Sequence, residues 1–127
     1  MDHTMVTVEE YRQYLEESGT KTYPLRWDEQ LKEPANPVIG VTWHEAQSYC
    51  VWAGGRLPTS AESERLLYGG LYQWTTDDYD ANMKVLRGGS WDFILQGVRA
   101  SNRLRLEPGD RGYSIGFRCL QQGGEQR

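Results

Sequence analysis

The sequence has few of the residues that bind transition metals or carry out thiol chemistry. Its 127 residues include only two cysteines, Cys50 and Cys119, and two histidines, His3 and His44. Two cysteines are too few for a disulfide scaffold, and the four residues together make no metal-ligand spacing. We therefore expect no metal site, no bound cofactor and at most one disulfide bridge.

Excess positive charge and long apolar runs are also absent. Fourteen Lys and Arg face eighteen Asp and Glu, for a net charge of −4, so binding to a phosphate backbone is not expected. No run of 18 apolar residues occurs, and the first residues lack the basic and apolar regions of a signal peptide. We expect neither a nucleic-acid nor a membrane partner, with the cytoplasm as the default compartment.

Catalytic arrangements find little support in the residue pattern. His44 falls at the second position of a predicted helix, where side chains usually face solvent, so it is a poor general base. Asp77, Asp78 and Asp80 lack the spacing of a known cation loop and are interpreted as a solvated turn. We assign no catalytic residue and no metal ligand.

Three capping boxes predict three helices in the first half of the chain. The boxes are Thr7 with Glu10, Thr42 with Glu45, and Thr59 with Glu62, and each places a hydroxyl and a carboxylate on free backbone N–H groups. They predict helices over about 8–17, from 43 to the glycines at 54–55, and from 60 to the glycines at 69–70. Residues 21–37 read as an ordered loop, pinned by Tyr23, Leu25 and Trp27.

The residue pattern in the second half of the chain predicts β-strands. Strands are predicted where polar and apolar residues alternate or β-prone residues occur, at 71–75, 85–87, 98–103 and 115–120. Turns between them are predicted at 77–80 and 108–112. Five Trp and eight Tyr provide large apolar bodies for a core. Helices come first and strands last, so the prediction is one α+β domain over 1–127 without an internal repeat.

Several sequence blocks, in order, resemble the formylglycine-generating enzyme (sulfatase-modifying factor) family. They are PVIGVTW at 37–43, AQSYC at 46–50, GRLPTSAE at 55–62, RGGSW at 87–91 and GFRC at 116–119. The resemblance implies a compact C-type-lectin-type fold, with helices on small antiparallel sheets and irregular coil. It also implies that a long central family segment is missing between Gly70 and Leu71, and that Cys50 and Cys119 are neighbours, as a disulfide or as two buried thiols according to compartment.

Departures from the family pattern concern its chemistry. The oxidase members carry a copper-binding cysteine pair between the Gly-Gly-Ser-Trp block and the arginines that follow, and residues 92–98 contain no cysteine. Without thiolates the soft ligand pair for Cu(I) is missing. Ser63 also replaces the Trp expected after Glu62. We therefore expect a non-enzymatic member.

The variable region, about 86–120, also resembles that of target proteins of diversity-generating retroelements, in which reverse transcription scatters asparagine codons inside a constant frame. The structural frame would be Gly88, Gly89, Trp91, Arg99, Arg103, Phe117 and Arg118. The variable surface would be Asp92, Phe93, Ile94, Leu95, Gly97, Leu104, Arg105, Leu106, Gly112, Tyr113 and Ser114. The resemblance implies a ligand-binding protein, with a phage association as an alternative to a cellular one.

Three alternatives stay open at this point. Phe93, Ile94, Leu95, Leu104 and Leu106 could each face the core of a strand, although as a set they fall between frame residues, which favours a surface. An exposed aromatic and aliphatic patch with Asp92 and Arg105 is typical of a protein-binding site. The other functional hypotheses are an oxidase or related metal enzyme, and an interaction module with one constant partner.

Overall fold

The helices begin where the capping boxes predict. The computed structural model describes residues 4–63, 71–89, 104–112 and 114–121, with the side chains of residues 79, 88–89 and 104–106 outside the description. Helix α1 is Val8–Ser18, α3 is Trp43–Trp52 and α4 is Ser60–Ser63. Both hydrogen bonds of each box are present. The first two helices are confirmed, and the predicted remainder of the third, 64–70, lies outside the described residues.

The segment 21–37 differs in part from the predicted loop, because it contains a short helix, α2, at Trp27–Gln30. Tyr23 is 53% exposed and does not anchor the segment. Trp27 does pack against the core, with its ring centroid 6.1 Å from that of Tyr11, and the Leu25 N–H donates to the Gly40 carbonyl at 3.1 Å. A further anchor is the Gln30 amide, which donates to the carbonyls of Leu25 at 2.7 Å and Ile39 at 2.9 Å and accepts from the Ile39 N–H at 3.1 Å. No helix in the described ranges is long and apolar enough to cross a membrane.

Two small sheets form the second layer. The larger has the strand order β4-β3-β2-β5, with β2 at Leu71–Asp80, β3 at Met83–Gly89, β4 at Leu104–Leu106 and β5 at Ile115–Gly116. The smaller pairs β1, Gly55–Arg56, with β6, Leu120–Gln121. The α+β prediction is confirmed. The β2–β5 pair is parallel rather than antiparallel, because residues 107–114 cross from one edge of the sheet to the other and enter β5 at the end where β2 begins.

The predicted turn at 77–80 is wrong. These residues continue β2, which pairs with β3 through an irregular register at Asp78 and Asp80, and the turn lies at residues 81–82. Asp78 accepts an ion pair from Lys84 at 2.7 Å across the hairpin. Cross-strand pairing therefore overrides the local turn preference of aspartate, at a place where Asp78 and Asp80 stay exposed.

An aromatic core joins the helices to the sheet. Tyr11 stacks on Tyr49 with ring centroids 5.7 Å apart, and Phe117 meets Tyr49 edge-on at 5.6 Å. Trp74 of β2 is fully buried. Burial raises the pKa of Tyr49 to about 12 and raises the pKa of Tyr11 further, because the anionic phenolate would be desolvated.

Two indole N–H groups connect α3 with β2 in both directions. Trp74 Nε1 donates to the carbonyl of Val41, just before α3, at 3.1 Å. Trp43 Nε1, at the start of α3, donates to the carbonyl of Thr75 at 2.7 Å. One bond runs from β2 to the residues at the start of α3, and the other runs from α3 to the next residue of β2. Together they fix the N-terminus of α3 against the centre of the sheet.

The predicted neighbours Cys50 and Cys119 form a disulfide with Cα atoms 5.4 Å apart. Cys50 lies on α3 and is fully buried, and Cys119 directly precedes β6. Since the bridge spans 69 residues of sequence, it joins the helical layer to the end of the chain and removes much of the freedom of the unfolded state.

Replacing both cysteines with alanine is expected to lower the free energy of unfolding by about 4 kcal/mol, the loop-entropy value for a closure of this length. Guanidinium unfolding of the oxidised protein and of Cys50→Ala/Cys119→Ala measures the difference. Wild-type protein under reductant is the control and should resemble the double variant. A loss below about 1 kcal/mol would show that the bridge adds little to the other contacts of α3.

A pH dependence follows from Glu62, whose pKa is lowered to about 2, chiefly by its hydrogen bonds with Arg56. A folded-state pKa below the ordinary value of 4.5 contributes stability at neutral pH, and this contribution is lost as the pH falls through that range towards 2. Glu62→Gln should therefore flatten the loss of stability between pH 5 and 2. The effect is modest because the pair is about one-third exposed. An unchanged slope of unfolding midpoint against pH would contradict it.

Candidate functional site

The predicted variable segments are joined to the larger sheet at one of its ends. Leu71, the first residue of β2, pairs with Gly89, the last of β3. β4 begins at Leu104, opposite Leu86, and runs antiparallel to β3. The chain therefore leaves the sheet after Gly89 and re-enters it at Leu104 from the same direction. We call this side of the sheet the Leu71 end.

The third boundary lies at the Leu71 end as well. Ile115 of β5 pairs with Tyr72 in the parallel sense, and the Tyr72 N–H donates to the carbonyl of Ser114 at 2.7 Å. β4 and β5 are the outer strands, three strand spacings or about 14 Å apart. The boundaries at Gly89, Leu104 and Ser114 thus fall within the footprint of an ordinary protein contact, about 800 Å² for each partner.

The predicted variable positions are described only in part. Asp92, Phe93, Ile94, Leu95, Gly97 and Tyr113, with the frame residues Trp91, Arg99 and Arg103, lie outside the described residues. Leu104, Arg105 and Leu106 form β4, and the frame residues Gly88 and Gly89 end β3. Gly112 and Ser114 are half-buried. A Cβ at Gly112 would lie 2.7 Å from Ile115 Cδ1, so a side chain there requires Ile115 to move.

Two of the frame residues, Phe117 and Arg118, lie inside the fold. Phe117 is fully buried and Arg118 is 6% exposed. Arg118 Nε donates to Gln73 Oε1 at 2.9 Å, and Gln73 in β2 has no exposed surface. Burial lowers the pKa of Arg118 below the usual value for a guanidinium, because the charged form is desolvated. Gln73 is a partner of Arg118 that sequence reasoning did not identify. Its only signal was an amide within the apolar run of β2.

The segment 107–114, which connects β4 to β5, is attached to the N-terminus of α3. Arg111 places two guanidinium nitrogens on the two carboxylate oxygens of Glu45, each at 2.7 Å. Arg111 also donates to the carbonyls of Gly40 at 3.0 Å and Tyr23 at 3.3 Å. Sequence reasoning identified Glu45 only as a capping residue, because an ion pair across 66 positions leaves no local pattern.

The residues weighed for catalysis or metal binding are not gathered into a site. His44 is exposed at the start of α3. Lys84 bonds Asp78 and lies 4.1 Å from the centre of the Trp43 ring, so the acidic hairpin is partly neutralised by a cation–π-bound lysine. Across 4–63, 71–89, 104–112 and 114–121, no three His, Cys, Asp or Glu residues cluster as metal ligands would.

Comparison with known proteins identifies a family. The profile of the sulfatase-modifying factor enzyme 1-like domain matches residues 1–70 and 65–123. A serine/threonine-protein kinase pkn1 of Chlamydia caviae is 27% identical over 200 residues, covering 95% of this chain and 32% of that protein. An inactive Cα-formylglycine-generating enzyme 2 of Bos taurus is 25% identical over 153 residues, covering 69% and 51%.

Two further similarities mark the local motif and the fold. A formylglycine-generating enzyme of Bos taurus is 54% identical over 41 residues, 32% of this chain and 11% of that protein. The structure of PvdO from Pseudomonas aeruginosa superposes with a TM-score of 0.71 at 20% identity, covering 91% of this chain and 78% of that one. The chain spans about half or less of the length of these curated relatives.

The comparisons also agree with a missing central segment. The family match divides at residues 65–70, next to the junction between Gly70 and Leu71 where the segment was predicted to be absent. The alignment with the chlamydial relative extends over 200 positions, more than the 127 residues of this chain. The relative therefore carries residues that this chain lacks.

The Arg118–Gln73 bond predicts a stability effect. Gln73→Leu keeps the side-chain volume but removes an acceptor from a buried guanidinium, and should lower the free energy of unfolding by about 1.5–3 kcal/mol. Denaturant unfolding measures the loss. Gln13→Leu, at an exposed position of α1, is the control and should change stability by no more than about 0.5 kcal/mol. Equal effects of the two variants would contradict a structural role for the buried amide.

Proposed function

Because the chain belongs to the family of sulfatase-modifying factor enzyme 1-like domains, whose scaffold is shared by an enzyme and a relative described as inactive, we propose that it is a non-catalytic binding protein. Its scaffold presents a hypervariable surface, diversified by a retroelement, to a protein ligand. The binding surface lies at the Leu71 end of the larger sheet.

The convergence of the segment boundaries carries this proposal. Gly89 is the last residue of β3, Leu104 is the first of β4, and Ser114 directly precedes β5, yet all three bound the Leu71 end. Residues 90–103 and Tyr113 are attached at these points, so most of the predicted variable positions start from one side of the molecule. Diversification is useful only where changed side chains can act on one ligand together, and the shared position of these boundaries supports the proposal that they do.

The use of cysteine supports a non-catalytic role. The sequence has two cysteines, and both belong to the Cys50–Cys119 disulfide. A Cu(I) site of the oxidase type needs a pair of thiolates. This chain has no further cysteine to offer.

The interior can hold the surface without help from the variable side chains. Trp74 Nε1 bonds the Val41 carbonyl and Thr75 Oγ1 donates to the Val85 carbonyl at 2.8 Å. Arg118 is bonded by Gln73 in the same layer. These bonds all lie in buried parts of β2 and its neighbours, and none of them is made by a predicted variable side chain. A scaffold with this property tolerates many surfaces.

The chemistry of the predicted surface favours a protein ligand. Phe93, Ile94 and Tyr113 would supply the large apolar contacts that dominate protein interfaces, and Asp92 and Arg105 would orient the partner. The acidic net charge of −4 disfavours nucleic acid.

The DNA that flanks the gene tests the proposal most directly. We expect a reverse-transcriptase gene and a near-copy of the segment encoding residues 88–117 that differs from it almost only at adenines. Sibling copies should then vary at the eleven surface positions and not at the frame. If neither the reverse-transcriptase gene nor the near-copy is found, an interaction module with one constant partner would be favoured instead.

A stability measurement tests the surface assignment on the protein itself. The triple variant Phe93→Ala, Ile94→Ala, Tyr113→Ala should lower the free energy of unfolding by no more than about 0.5 kcal/mol for each substitution, as expected for exposed side chains. The matched control is Phe117→Ala, which empties a fully buried site and should cost about 3–5 kcal/mol. A triple-variant loss as large as that of the control would place the three residues in the core.

Enzyme activity is tested separately. The purified protein is incubated with copper and a cysteine-containing peptide, and the peptide is followed by mass spectrometry. We expect no conversion of cysteine to an aldehyde. Conversion would favour the oxidase hypothesis, to which the 41-residue match with a formylglycine-generating enzyme belongs.

A further inference from the structure

We propose that the ion pair between Glu45 and Arg111 is a positioning clamp. It sets the backbone of residues 107–114 so that the conformation at Gly112 and Ser114 does not depend on the side chains displayed there. The inference rests on the proposed function for what the segment displays, but the clamp itself can be tested without a ligand.

The pair has the geometry of a strong, directional contact. Two Arg111 nitrogens meet two Glu45 oxygens at 2.7 Å each, and the side chains of Arg111 and Glu45 are only 27% and 15% exposed. Parallel hydrogen bonds between two planar groups fix orientation as well as distance. The same guanidinium reaches the carbonyls of Gly40 and Tyr23, so its position is determined from several directions.

The clamp is attached to a rigid point of the scaffold. Glu45 Oε1 also accepts from the Thr42 N–H at 3.1 Å as part of the α3 capping box. One residue further on, the Trp43 N–H donates to the carbonyl of Pro108 at 3.0 Å. The segment is thus held twice at the N-terminus of α3, at Pro108 and at Arg111, where the two indole bonds already join α3 to the sheet.

The segment needs external support because it runs between the two edges of the sheet outside any strand. Its backbone accepts bonds from other elements near its two ends, at the carbonyls of Pro108 and Ser114, and between these points the described backbone bonds are local, from the Asp110 N–H to the Glu107 carbonyl at 3.0 Å and from the Ile115 N–H to the Gly112 carbonyl at 3.3 Å. Short turns of this kind do not define the path of eight residues. The side-chain clamp takes the place of ladder hydrogen bonds near its middle.

The chain contains a matched control for this contact. Arg56 binds Glu62 in the same two-pronged way, at 2.8 and 2.9 Å, and Glu62 closes the capping box of α4 by accepting from the Thr59 N–H. Both pairs therefore combine a bidentate arginine with a capping glutamate. Only the Glu45 pair reaches the segment 107–114, so the two can separate a local positioning effect from the general loss of an ion pair.

Hydrogen–deuterium exchange of the full chain tests the clamp with the variants Glu45→Gln and Glu62→Gln. Glutamine keeps the carbonyl oxygen that caps each helix but loses the charge and one acceptor. We expect amides of 107–116 to exchange about ten- to a hundredfold faster in Glu45→Gln and at the wild-type rate in Glu62→Gln. Amides of α1 should be unchanged in both variants.

Arg111→Lys is the second variant, should Glu45→Gln fold poorly. Lysine keeps the charge without the fork, so exchange of 107–116 should fall between the wild type and Glu45→Gln. Wild-type exchange of this segment in both clamp variants, or equal acceleration of all segments by Glu45→Gln and Glu62→Gln, would overturn the proposal.

A third experiment tests whether the backbone conformation of the segment is independent of the side chain at position 114. Ser114→Tyr and Ser114→Asp should leave exchange of 107–111 within about twofold of wild type when the clamp is intact, and change it severalfold in the Glu45→Gln background. Large changes with the clamp intact would contradict the inference. The outcome is distinct from that of the flanking DNA: a missing retroelement would remove the proposed function and leave the clamp in place.

Discussion

The reciprocal indole bonds between α3 and β2 are the contact on which the other constraints depend. Trp74 bonds the backbone before α3, and Trp43 bonds the backbone of β2 one residue beyond Trp74. A buried indole N–H without a partner is costly, so each ring can occupy its place only when the helix and strand are in register. Burial of Trp74 and its hydrogen bond therefore specify one relative position of the two layers.

Helix α3, once fixed in this position, holds two points in the second half of the chain. Its first turn carries Glu45, which holds Arg111, and its last carries Cys50, which is bonded to Cys119. The segment before β5 and the residues before β6 are thus attached to opposite ends of one ten-residue helix. Between them, Phe117 and Arg118 are buried against the aromatic core and Gln73. The C-terminal stretch is held from within.

In the proposed role, a fixed interior and a variable surface at the Leu71 end would explain how one family scaffold can serve both an enzyme and a binding protein. An enzyme needs reactive groups placed by the scaffold, whereas a binding protein needs only a surface placed by it. Here the two cysteines serve the interior as a disulfide, and the sheet brings the ends of the predicted variable segments to one side. In the proposed role, the cost of changing the surface is low because the bonds that define the backbone lie elsewhere.

What the sequence by itself determined was local or carried by family motifs. The starts of α1, α3 and α4 were predictable because a capping box involves four consecutive residues, and the α+β order and the Cys50–Cys119 pairing followed from pattern and resemblance. The tertiary structure decided what depends on distant partners. Asp78 and Asp80 are in a strand rather than a turn because β3 pairs with them, and β5 is parallel because the chain crosses the sheet before reaching it. Gln73 and Arg118 meet across 45 positions, and Glu45 and Arg111 across 66. Ion pairs and buried hydrogen bonds of this kind act through space, and no spacing along the chain encodes them.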